Sequence, residues 1–186
     1  MSKAQTRSRE IRARVGHPII DSDGHTAEFE PALFDYIRDV AGALVDVWQT
    51  APNGLYENQE PHQPDYNLRG RMLTDEQGHY EFQTVVPVSY QIPTDGLVGT
   101  LLRTLGRHAW RPAHIHFKVS ADGYEPLTTM IFMEGDPYLD RDAVFAVKNS
   151  LVVALEKHDS PQEAAKRNVT APFYTASYEF GLKPVA

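Results

Sequence analysis

Between Leu44 and Leu182 the apolar residues come mostly in short runs, cut off again and again by turn residues. Runs of that length cannot build long helices, and they favour strands that double back on one another. The pattern therefore predicts an all-β sandwich. The expected strands are Leu44 to Gln49, His79 to Val86, Ala113 to Ser120, Thr128 to Met133, Leu151 to Glu156 and Tyr174 to Phe180. Turns are marked by Pro52-Asn53-Gly54, by Asp75 through Gly78, by Ala121-Asp122-Gly123 and by Glu134-Gly135-Asp136-Pro137. Asp95 to Gly106 reads differently, because Leu97, Leu101, Leu102 and Leu105 share a helical face, with Asp95 as N-cap and Gly106 as the stop. Two more helices are expected. One spans Glu30 to Val40, on the stripe Leu33, Phe34, Ile37 and Ala41; the other starts at Ser160, with Pro161 at its first position.

A chain of 186 residues suits one domain, or one domain with an arm. It contains no cysteine, which rules out disulfides, thiolate metal sites and cysteine nucleophiles, so any metal must be held by His, Tyr, Asp or Glu. The net charge of −7 argues against a nucleic-acid partner. No apolar run follows the basic stretch Met1 to Arg14, so neither a secretory signal nor a membrane span is expected. A cytoplasmic protein is the resulting expectation.

The sharpest local feature is Arg111-Pro112-Ala113-His114-Ile115-His116-Phe117-Lys118-Val119. Strand alternation puts His114 and His116 on one face and Ile115, Phe117 and Val119 on the other, so two imidazoles project side by side. Such a pair can chelate a metal, although His-x-His on a strand is also common as a solvent-facing or hydrogen-bonded pair. Without cysteine, hard oxygen donors would have to complete a site, and the chain offers nine tyrosines. Free Tyr has a pKa of about 10. A trivalent ion can nonetheless deprotonate a phenol, which makes two imidazoles and two phenolates around Fe(III) a coherent set. Composition does not select the tyrosines.

Gly42 to Gln49, Gly54-Leu55-Tyr56, Tyr66 to Arg71, Val86-Pro87-Val88-Ser89-Tyr90 with Pro93 to Gly96, Gly106 to Trp110 leading into the His-x-His strand, Leu127-Thr128-Thr129, and Glu134 to Leu139 form an ordered series of motifs. In their order and spacing, from Gly42 to Val153, they resemble the intradiol ring-cleavage dioxygenase family. Tyr90 to Gly96 and Trp110 to His116 are most similar to the hydroxyquinol 1,2-dioxygenase branch. The resemblance implies a non-haem Fe(III) cofactor held by Tyr56, Tyr90, His114 and His116, with Tyr90 giving way when the substrate binds. It also implies a catalytic role for Arg111, steadying negative charge on the bound substrate, and in this reading Tyr90 and Arg111 are the catalytic pair. Without the surrounding motif, Arg111 would read as an ordinary surface ion pair. The implied partners are a small aromatic diol and O₂, and the implied assembly is a homodimer. Catechol-cleaving relatives often carry Gln after the Thr-Thr pair; this chain has Met130, which removes the basis for one polar contact.

Ahead of the resemblance, residues 1–41 read as an N-terminal arm with one helix, and residues 42–186 as the catalytic sandwich. The hydroxyquinol and catechol branches carry a long helical N-terminal region that supplies the dimer interface and one wall of the pocket, whereas only about forty residues stand here. Val15 to Thr26 resembles the opening strand and metal loop of amidohydrolase-like decarboxylases, which points to a fusion. The competing reading takes Ile19 to Gly24 as the family's first strand and turn, with Glu28 to Asp39 inserted as a helix. Without the helical wall, the iron site is expected to assemble in a pocket open to water.

The activity implied is cleavage of hydroxyquinol or a related catechol to a maleylacetate- or muconate-type diacid. Two other readings stand beside it: a non-catalytic transthyretin-like binding sandwich, and a zinc or manganese hydrolase built on Asp21, Asp23 and His25. The missing βα alternation speaks against the hydrolase.

Overall fold

The computed structural model describes residues 42–185. The expected helix at Glu30 to Val40, the possible strand at Ile19 and Ile20, and Asp21, Asp23 and His25 all lie outside the described residues. The centre of the fold is a five-stranded sheet of β1 (Leu44–Trp48), β2 (Arg69–Leu73), β5 (His114–Ser120), β6 (Leu127–Met133) and β7 (Val152–Val153), in the order β2-β1-β5-β6-β7. Its pairs are antiparallel except the last, where Phe132 and Met133 run parallel to Val152 and Val153. Two short ribbons flank it: β3 (Tyr90–Gln91) with β4 (Trp110–Arg111), and β8 (Glu156–His158) with β9 (Phe173–Thr175).

Alternation along β1, β5 and β6 gives the sheet two unlike faces. Val45, Val47, Ile115, Phe117, Val119, Ile131 and Met133 point into one apolar core, completed by Val153, Phe180 and Leu182. Tyr80, Phe82 and Tyr178 close that core from the opposite side, making the second layer of the sandwich. His114 and His116 alternate with the core residues of β5 and occupy the other face. There His116 stands opposite Trp48 on β1 and Met130 on β6, and His114 opposite Phe132.

Several elements depart from the sequence reading. His79 to Val86 forms no strand, although Tyr80 and Phe82 pack on the core as strand residues would. Instead of a ladder, the Tyr80 hydroxyl donates to the Tyr178 carbonyl at 3.0 Å. Of the expected last strand, Tyr174 to Phe180, only Tyr174 and Thr175 pair, within β9, and Leu151 to Glu156 is divided between a 3₁₀ turn at Asn149–Leu151, β7 and the start of β8. The edge strand β2 has no counterpart among the expected strands.

The helix α1 (Leu97–Thr104) forms where expected, but its N-cap is Gly96, not Asp95, with no side-chain cap bond. Of its four leucine-face residues only Leu102 is buried, while Leu97, Leu101 and Leu105 face outward. Gly99 explains the seating, since a Cβ there would lie 1.9 Å from the Thr94 carbonyl oxygen. The helix α2 (Pro161–Lys166) starts as expected, with the Ser160 hydroxyl accepting the Glu163 amide at 3.3 Å.

Candidate metal centre

Three separate elements deliver the side chains. Tyr56 follows a tight turn in which the Gly54 amide donates to the Ala51 carbonyl at 2.8 Å and the Ala51 amide to the Leu55 carbonyl at 2.9 Å. Gly54 is left-handed (φ +79°), and a Cβ on it would stand 3.2 Å from the Cβ of Tyr90, so glycine lets this turn lie close against β3. Tyr90 is paired with Arg111 across the β3–β4 ribbon. The link from that ribbon to β5 is made by Asp136: its Oδ2 accepts the Ser89 hydroxyl and, at 2.9 Å, the Ala113 amide, so the residues next to Tyr90 and His114 share one carboxylate.

The result is a chain of close contacts among four donor atoms. His114 Nε2 lies 3.1 Å from His116 Nε2, which lies 3.1 Å from the Tyr56 hydroxyl, which lies 3.1 Å from the Tyr90 hydroxyl. Ligand atoms about 2 Å from a common ion stand roughly 3 to 3.5 Å from one another, so this spacing fits a shared metal. His114 Nδ1 is 2.7 Å from the Pro112 carbonyl, which can only accept, so the proton sits on Nδ1 and Nε2 turns its lone pair to the cluster. His116 is held by Trp48, whose indole stacks on the imidazole with 4.9 Å between ring centres and 2° between planes. Both histidines are buried. Among the described residues no group of three His, Cys, Asp or Glu side chains could hold a metal, so a metal here would need the phenolic oxygens.

Arg111 is not at the surface. Its side chain is 2 % exposed and that of Asp142, its ion-pair partner, 1 %. Nε donates to Asp142 Oδ1 at 3.2 Å, while Nη1 stands 3.4 Å from His114 Nε2. Burial opposes the charge on this guanidinium, but the Asp142 carboxylate and the Tyr90 hydroxyl outweigh it and hold Arg111 above its ordinary value. Met130 also lies here, its sulfur 3.2 Å from Arg111 Nη2, a weak acceptor in place of an amide. Trp48, Tyr56, Asn58, Gln59, Arg69, Tyr90, Arg111 and His116 line a cleft of about 270 Å³.

The structure thus brings together the five residues that the family resemblance singled out: Tyr56, Tyr90, Arg111, His114 and His116. Trp48, Asp136 and Asp142 were not singled out. Trp48 left a signal as a residue of the expected strand Leu44 to Gln49, and Asp136 as part of the expected turn Glu134 to Pro137, whereas Asp142 left none.

The sequence profile of a family described as Dioxygenase matches residues 6–184. The hydroxyquinol 1,2-dioxygenase of Rhizobium sp. (strain MTP-10005) is 46% identical over 145 residues, which cover 77% of this chain and 49% of that protein. The catechol 1,2-dioxygenase of Acinetobacter baylyi (strain ATCC 33305 / BD413 / ADP1) is 39% identical over 166 residues, 88% of this chain and 53% of that protein. Among solved structures, hydroxyquinol 1,2-dioxygenase from Pseudomonas putida DLL-E4 superposes with a TM-score of 0.71 at 50% identity, over 78% of this chain and 51% of that one. The chain spans about half the length of the curated relatives it matches.

Proposed function

The chain belongs to the intradiol dioxygenase family, and from that premise we propose that it is a non-haem Fe(III) enzyme that opens the ring of hydroxyquinol or a related catechol between its two hydroxylated carbons, using O₂ and giving a maleylacetate- or muconate-type diacid. One observation carries the reading: two imidazole nitrogens and two phenolic oxygens from three parts of the chain lie in successive contacts of 3.1 Å. Tyr56, Tyr90, His114 and His116 would hold the ferric ion. Phenolate oxygens suit that ion better than softer divalent metals. When bound, it would gather an ortho-diol as a chelate and make the ring electron-rich enough to meet O₂.

The remaining chemistry belongs to the protein's own side chains. The family resemblance makes Tyr90 the phenol that would leave the ligand set; its hydroxyl stands 3.1 Å from that of Tyr56 and within hydrogen-bonding reach of Arg111. Once free, that oxygen can take a proton from an incoming diol. Arg111 is fixed in a dry setting, where a permanent positive charge acts strongly on the anionic substrate. The cleft of about 270 Å³ is smaller than the roughly 300–1,000 Å³ of drug-sized ligand sites, and it suits a single ring. The same proposal takes the protein to act in the cytoplasm as a homodimer; the outward-facing Leu97 and Leu101 of α1, with Leu105 just after it, support self-association. No helix among the described residues is long and apolar enough to cross a membrane. The named relatives are enzymes, which speaks against the transthyretin-like binding reading.

The test is spectroscopic and kinetic. Iron-loaded protein should absorb in the visible through its phenolate ligands, the band should move when hydroxyquinol is added under nitrogen, and oxygen uptake should match diol consumed one to one. Tyr56→Phe should strip most of that band. A colourless ferric protein, or one whose colour ignores the Tyr56 change, would remove the basis of the ligand assignment.

A further inference from the structure

We infer that Asp142 is a positioning residue of this centre: its buried carboxylate offsets the charge of Arg111 and aims the guanidinium, so that a cationic side chain can sit beside a bound ferric ion. The inference rests on the ferric reading of Tyr56, Tyr90, His114 and His116.

The difficulty that Asp142 resolves is one of charge. Arg111 Nη1 is 3.4 Å from His114 Nε2, the atom that would bond the metal. An uncompensated guanidinium so close to a trivalent ion, in surroundings nearly free of water, would repel it strongly. Asp142 supplies the counter-charge from the far side, taking Nε on Oδ1 at 3.2 Å and Nη2 on Oδ2 at 3.5 Å. Those two bonds face the guanidinium's Nη1 towards the histidines.

The carboxylate is itself tied down. Its Oδ1 accepts the Val144 amide at 3.3 Å and its Oδ2 the Ala146 amide at 3.0 Å, while the Asp142 carbonyl accepts Arg107 Nη2 at 3.1 Å. Arg107 in turn lies over the Phe145 ring, 3.7 Å from its centre. Held by two backbone amides and one arginine side chain, Asp142 cannot swing across to become a metal ligand. It acts through Arg111 alone.

The test reads metal affinity in the apo protein. Asp142→Asn keeps the side chain's size and one acceptor oxygen but leaves Arg111 uncompensated; ferric ion titrated in competition with a chelator should bind at least about tenfold more weakly than to the unaltered protein. Combining it with Arg111→Gln should recover most of the loss, because the repelling charge is gone. Circular dichroism and unfolding midpoints of the metal-free proteins restrict the comparison to variants folded at the assay temperature. If Asp142→Asn does not fold, Arg111→Gln alone serves, and it should bind ferric ion no more weakly than the parent. Unchanged affinity in Asp142→Asn, a double variant no better than the single, or weakened binding in Arg111→Gln each overturns the inference. Failure of the unaltered protein to take up ferric ion would instead overturn the ferric reading on which it rests.

Discussion

Removing the indole of Trp48 should loosen His116 and weaken metal binding without dismantling the sheet. Trp48 closes β1 directly opposite His116, and the rings lie flat on one another at 4.9 Å and 2°. In that geometry the imidazole cannot turn about its Cβ–Cγ bond without driving an edge into the indole, so Nε2 stays aimed at the other donors. Aromatic pairs contribute about 0.5–1.5 kcal/mol beyond the area they bury. If Trp48→Leu takes that preference from the metal-competent rotamer, ferric affinity should fall by roughly twofold to twelvefold, taking 1.36 kcal/mol per factor of ten. Trp48→Phe keeps a flat wall and should lose less. Apo variants would be titrated with ferric ion against a chelator by visible absorption, with metal-free unfolding midpoints measured alongside. Equal affinity in Trp48→Leu and the parent would refute the claim that the stack orients His116. So would a loss of the same size in Trp48→Phe.

Two further outcomes follow from the core. Phe117 is 1 % exposed among Tyr80, Phe82 and Phe180, and Phe117→Ala should lower stability by about 3–5 kcal/mol in a denaturant titration; a loss below about 1 kcal/mol would mean that this face of the sheet is not packed as described. Burial first, and the neighbouring Tyr178 second, push the Tyr80 phenol above its ordinary 10.0, so its contribution to stability is fully present below about pH 10 and is lost as the pH rises beyond it. Tyr80→Phe should therefore make the alkaline decline in stability shallower, and an unchanged slope in pH-dependent unfolding would assign that decline to other groups.

What could be read in the sequence tracks what alternation encodes. Strands β5 and β6 are buried on both faces over His114 to Phe117 and Met130 to Met133, and were legible as short runs bounded by turn residues. Strand β1 was legible because it buries one face, and burial writes a period of two into the residues. The same signal misled at His79 to Val86 and at Tyr174 to Phe180. Tyr80, Phe82, Tyr178 and Phe180 do alternate towards the core, but most of their backbone joins no ladder, so periodicity reported burial and was silent on pairing. β2 failed in the opposite sense. Arg69-Gly70-Arg71-Met72-Leu73 is an edge strand with charged side chains, well hydrogen-bonded to β1 yet carrying no apolar alternation. In the candidate centre, His114 and His116 came from alternation alone, whereas Tyr56 and Tyr90 needed the family resemblance. Asp142 lies 31 residues from Arg111, a separation at which no local pattern announces a contact.

The placement of the two histidines makes the candidate function inseparable from the packing. His114 and His116 share β5 with Ile115, Phe117 and Val119, three members of the core, so one alternation fixes both faces of the strand. A slip of one residue against β1 would turn His116 into the core and Phe117 out beside Tyr56, burying an imidazole among apolar side chains and exposing a phenyl ring. Neither change is tolerable, and each would penalise the slip independently. Cross-strand neighbours add a second restraint, since only the observed register sets Trp48 and Met130 on either side of His116. The precision that a metal would need from Nε2 of both rings is therefore supplied mainly by the apolar side chains that face away from it.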